Sequence, residues 1–79
     1  MKGATVDSAL ADLGREYEVV VGRPLDRPHL DIFDLGLDSM AVLALIGRLR
    51  DLGYPVRMDD FVNAESLHEV ARAMAGTRA

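Results

Sequence analysis

A chain of 79 residues forms one small domain, and chains this short bury only about 60% of their unfolded surface. With 49% hydrophobic residues, no tryptophan and only four Phe and Tyr, its core must come from Leu, Val, Ile, Met and Ala. The lack of cysteine excludes a disulfide framework, a thiolate zinc site and a cysteine nucleophile, and it fits a reducing cytoplasm. The net charge of −4 arises before residue 39, where eight acidic side chains face four basic ones, so no basic patch for nucleic acid is present.

In chain order, Met1-Lys2-Gly3 lacks the apolar run of a secretory leader. No later segment approaches the roughly 18 apolar residues of a membrane span. The expectation is a complete, cytoplasmic, monomeric protein that occupies residues 1–79 as a single domain. From Val6 to Val21 the positions Val6, Leu10, Leu13, Tyr17, Val20 and Val21 trace one helical face over four turns. Thr5 is the expected N-cap, Asp7 suits the positive end, and Gly22 with Pro24 ends the helix.

Residues 22–38 have no clear period, and uninterrupted loops of this length are unusual in small domains unless functional or tied down. Leu25, Leu30, Ile32, Phe33, Leu35 and Leu37 are the expected pins. Phe33 is the only large ring between Tyr17 and Tyr54, and it is expected to be the main one. A second helix runs from Ser39 to about Leu52, capped by Asp38 on the amide of Met40 or Ala41. Val42, Leu45, Ile46, Leu49 and Leu52 form its core stripe and Gly53 closes it. Tyr54-Pro55-Val56 is extended, and Asp59 to Val62 makes one short turn. Ser66 and Glu69 form a capping box before a last helix that buries Leu67, Val70, Ala71 and Met74. The fold class is all-α: a small bundle of three main helices and one short one.

Among candidate sites, a Ser39–His29/His68–Asp triad lacks the Gly-x-Ser-x-Gly elbow, and His68 is expected to be exposed. Asp31 to Val42 fails as a calcium loop because Phe33, Leu35 and Val42 stand where oxygen ligands are needed. No metal ligand set is expected. Asp38-Ser39, taken alone, reads as an ordinary helix start. Yet Met40, Ala44, Gly47 and Asp51 fall together opposite the core stripe, where a solvated face would carry Lys, Glu or Gln. Small and apolar residues beside a serine suit docking of other proteins, and a helix start suits an anion held on that serine.

The run Phe33-Asp34-Leu35-Gly36-Leu37-Asp38-Ser39-Met40 resembles the attachment motif of acyl and peptidyl carrier proteins. The likeness extends over the succession of helices to the ending MDDFVNAESLHEVARAM, although Glu65 stands where that family often has proline. The resemblance implies that Ser39 receives 4'-phosphopantetheine from coenzyme A through a phosphopantetheinyl transferase. Gly36 then permits the turn, Asp38 caps the helix and helps hold the transferase's magnesium, and Met40 lies beside the arm. Leu37, Met40, Ala44, Gly47 and Arg48 are the expected docking residues. The chain is expected to be a non-catalytic carrier that presents an acyl, aminoacyl or aryl thioester. The implied partners are a loading adenylation enzyme or acyltransferase, and then synthase, condensation or tailoring enzymes. An apolar second helix flanked by Arg48 and Arg50, with only Asp51 acidic, favours a free-standing bacterial carrier of nonribosomal peptide or polyketide synthesis. A fatty-acid carrier is the runner-up, and a small helical adaptor without an arm is the alternative of another class.

Overall fold

A helix that starts on a threonine and ends on a glycine opens the computed structural model, which describes residues 5–32 and 34–77. This is α1, Val6–Val21. The Thr5 hydroxyl accepts the Ser8 N–H at 3.0 Å, and the Ser8 hydroxyl accepts the Thr5 N–H at 3.0 Å. The cap is therefore reciprocal, with serine doing what glutamate or glutamine usually does. Gly22 ends α1 in the left-handed region, φ 91°. The other helices are α2, Ser39–Asp51, α3, Met58–Val62, and α4, Leu67–Thr77. The bundle thus follows the order expected, with no strand among the described residues.

Each helix contributes one apolar stripe to a common core. Ala9, Leu13 and Tyr17 of α1 meet Val42, Leu45, Ile46 and Leu49 of α2, Phe61 of α3, and Leu67, Val70, Ala71 and Met74 of α4. α1 packs against both α2 and α4, and α3 bridges α2 and α4. Tyr54 and Val56 are also buried. Their alternation around exposed Pro55 is what an extended segment with one face on the core produces.

The α1–α2 connection is tied down at several points. Ile32 and Leu37 are buried, while Leu25, Leu30 and Leu35 are half-buried. The Phe33 expectation lies outside the described residues. The His68 N–H of α4 donates to the Pro28 carbonyl at 2.9 Å, and the His29 and His68 rings stack with centroids 4.4 Å apart. His68 is half-buried rather than exposed, because the loop lies over the first turn of α4. The Ser66 cap is present, since its hydroxyl accepts the Glu69 N–H at 3.4 Å. The Glu69 carboxylate, however, accepts from the Glu65 N–H at 3.3 Å, one residue before the position a capping box uses.

A polar seam joins α1 to the far half of α2. Arg48 Nε donates to Glu16 Oε1 at 2.6 Å, and Glu16 is only 8% exposed. Arg15 pairs with Asp12, and the Tyr54 hydroxyl donates to Asp12 Oδ2 at 2.6 Å. Glu16 is buried on the same side of α1 as Ala9, Leu13 and Tyr17, and its burial is compatible with a charge because Arg48 neutralises it.

Candidate functional site

Ser39 occupies the first position of α2 and is exposed. Three neighbours fix that placement. Gly36 adopts φ 85°, a left-handed turn that side chains with a Cβ rarely tolerate. Leu37 then drops into the core, 3% exposed. Asp38 is extended, φ −105° and ψ 179°, and its carboxylate accepts the Ala41 N–H at 2.8 Å. The Val42 N–H goes to the Asp38 carbonyl at 3.0 Å. Turn, anchor and cap thus follow one another, and the next side chain stands in solvent.

Burial corrects one expectation. Leu37, expected among the docking residues, is a core residue whose side chain is closed off from partners. The reason is local: between the left-handed turn at exposed Gly36 and the extended, exposed Asp38, the Leu37 side chain enters the core. Met40, Ala44, Gly47 and Arg48 are all on the surface. Arg48, however, already donates to Glu16, and Arg50 donates to the Val56 carbonyl at 3.1 Å. Both cations of α2 are therefore engaged within the fold, and its outer face is apolar.

Two surface residues escaped the sequence reading. Leu43 is 57% exposed and Val62 63%, beside Met40 at 77%. Leu43 was detectable, because it stands three residues after Met40 and off the core stripe. Val62 was not, because its position depends on how α3 meets α2. Val62, Met58 and Phe61 of α3, Val42 of α2 and Ile32 of the loop line an apolar cleft of about 60 Å³ that opens at Ser39. The two histidines stack on each other and supply no base to a serine triad. Among the described residues no three metal-ligating side chains converge.

The comparisons with known proteins agree with this geometry. The sequence model for the phosphopantetheine attachment site matches residues 13–74, and the chain belongs to that family of carrier domains. It is similar to a stretch of the nonribosomal peptide synthetase sidC of Arthroderma benhamiae, 34% identical over 47 residues, which is 60% of this chain and 1% of the synthetase. It is also similar to a stretch of the siderophore peptide synthetase fer3 of Mycosarcoma maydis, 29% identical over 82 residues, which is 96% of this chain and 2% of that protein. The chain therefore spans a very small part of each relative. No solved structure matches.

Membership of this family implies 4'-phosphopantetheine, covalently attached. The residues fit such a group. An exposed hydroxyl heads a helix whose N-terminal dipole favours a phosphodiester. Among the described hydrogen bonds, the first-turn amides of Ser39 and Met40 are those left over after Asp38 has engaged Ala41 and Val42. No helix of the described residues is long and apolar enough to cross a membrane.

Proposed function

We propose that residues 1–79 act as a single carrier domain that takes its phosphopantetheine arm on Ser39 and presents an aminoacyl, aryl or short acyl thioester to enzymes of nonribosomal peptide or polyketide assembly. The observation that carries this reading is the exposed serine at the first position of α2, between a left-handed Gly36 turn and an apolar outer face. In the attachment step the Ser39 oxygen bonds to the β-phosphorus of coenzyme A. The phosphoanhydride bond breaks, adenosine 3',5'-bisphosphate leaves, and the hydroxyl proton passes to a base on the transferase. Asp38 holds the start of α2 in register, and the amides at that start stabilise the phosphodiester that results. When bound, the arm supplies a thiol on which cargo travels as a thioester. The protein's own part is to expose the serine and to offer a surface.

The similarity to two peptide synthetases supports the pathway class, as does the outer face of α2. Met40, Leu43, Ala44 and Gly47 are exposed on it, and Val62 lines the cleft next to Ser39. Asp51 is the only acid on the helix, so little on it would read the basic patches that fatty-acid carriers address. Incubation with coenzyme A and a broad-specificity transferase tests the assignment by intact mass. The wild type gains one arm and Ser39→Ala gains none while keeping its melting temperature. An arm on Ser8 or Ser66, or no gain by the folded wild type, overturns it.

A further inference from the structure

Arg23 is the first residue after the cap of α1, and its guanidinium reaches across the loop to the turn before Ser39. Its Nη2 donates to the Leu35 carbonyl at 3.3 Å. The same nitrogen lies 3.6 Å from where a Cβ on Gly36 would stand, so the guanidinium rests directly against the left-handed residue. The Leu35 N–H is meanwhile shared between the carbonyls of Asp31 and Ile32, at 3.1 and 3.2 Å. Leu35 is thus gripped on its amide by the loop itself and on its carbonyl by the end of α1. Two residues later Leu37 enters the core, and two after that comes Ser39.

We infer that Arg23 is a positioning residue for arm attachment: its guanidinium clasps the Leu35–Gly36 turn to the end of α1, and this keeps Ser39 in the orientation a transferase can use. The inference rests on the Ser39 reading above. A clasp of this kind raises the fraction of molecules in the competent arrangement, and a carrier that is competent only part of the time binds its enzyme with an affinity reduced by that fraction. One hydrogen bond of ordinary net strength corresponds to roughly a two- to tenfold change in the equilibrium constant between the two arrangements.

Arg23→Ala and Arg23→Lys, alongside wild type, test it in two ways. In steady-state arm transfer from coenzyme A, Arg23→Ala raises KM for the carrier about two- to tenfold with kcat unchanged, and Arg23→Lys recovers part of the loss through its own donor. Amide exchange at Gly36, Leu37 and Asp38 speeds in Arg23→Ala by more than exchange at the buried turns of α1 and α4, and the melting temperature falls by only a few degrees. A modified wild type beside an Arg23→Ala protein with unchanged KM and unchanged exchange overturns the inference and leaves Ser39 standing. A fall in kcat alone, with exchange unchanged, also overturns it, because the guanidinium would then act on the reacting phosphate. If the wild type never gains the arm, the Ser39 reading fails first and the positioning role falls with it.

Discussion

Leu37→Ala separates the two roles open to a leucine placed two residues before Ser39. Leu37 is 3% exposed, so truncation removes three carbons from the core, worth about 2.4 kcal/mol in transfer alone at roughly 0.8 kcal/mol per methylene. A residual cavity adds to this, and buried Leu→Ala changes span about 2–5 kcal/mol. Leu37 sits on a loop that can partly follow the lost volume, so about 3 kcal/mol is expected. A domain of this length has only about 4–12 kcal/mol in total, and at roughly 4–8 °C per kcal/mol the melting temperature falls by about 12–24 °C. Urea denaturation of the unmodified protein measures the loss, and Leu37→Met, which conserves volume, loses less than about 1.5 kcal/mol. Arm transfer to Leu37→Ala slows as well, at a temperature where the variant is still folded, because the turn before Ser39 loses its anchor. A Leu37→Ala protein that melts with the wild type yet is loaded slowly would make Leu37 a contact for partners and refute the burial argument.

Asp38→Ala loses the helix cap and about 1 kcal/mol. Asp38→Asn restores most of that in a thermal melt, since asparagine caps about as well as aspartate; if it still slows arm transfer, the carboxylate has the magnesium role that the resemblance implies, and full transfer would leave it a cap alone. Met40→Glu or Ala44→Glu slows loading by a partner enzyme with almost no change in melting temperature, and raising salt slows the wild type little, because exposed charge pairs are the contacts that salt screens. The opposite pattern, with strong salt inhibition and indifferent glutamates, would point to charge steering. Tyr54→Phe removes the 2.6 Å bond to Asp12 and costs about 1 kcal/mol by denaturation, and an unchanged midpoint would mean that the hydroxyl contributes nothing.

How far the sequence spoke depended on the range of the interaction. The α2 start was legible because its determinants lie within six consecutive residues: Gly36 for the turn, Asp38 for the cap on Ala41, and Ser39 directly after Asp38. The stripes of α1, α2 and α4 were legible because helical period alone assigns Leu13, Leu45 and Val70 to the inside. At Leu37 two expectations competed, a pin for the loop and a docking residue implied by the resemblance, and its burial at 3% exposure agrees with the pin. Contacts between distant parts were not legible: Glu16 with Arg48, Asp12 with Tyr54, His29 on His68, and Val62 beside the cleft at Ser39. Each depends on which helices become neighbours, and a polar residue such as Glu16 looks solvated until a partner is placed against it. In the loop the pattern failed for the opposite reason. Its many leucines all seemed equal candidates, and only packing separated buried Ile32 and Leu37 from half-buried Leu25, Leu30 and Leu35.

The two ends of α2 are held by different physics, and the difference suits a carrier. Past its middle the helix is fixed by Leu45 and Leu49, both fully buried, and by the Arg48–Glu16 pair. At its start the constraints are a single cap, the anchor Leu37 and a loop closed by hydrogen bonds at the surface. Local opening free energies are smallest where buried contacts are few and hydrogen bonds face solvent, so the start of α2 is the end of this helix expected to open more readily in amide exchange. On the function proposed above, Ser39 has to be both accessible and held in a usable orientation, and the surface beside it needs a fixed frame. Placing the ion pair nine residues beyond the serine helps supply that frame. It engages the Arg48 cation within the fold and ties the far half of the helix to α1.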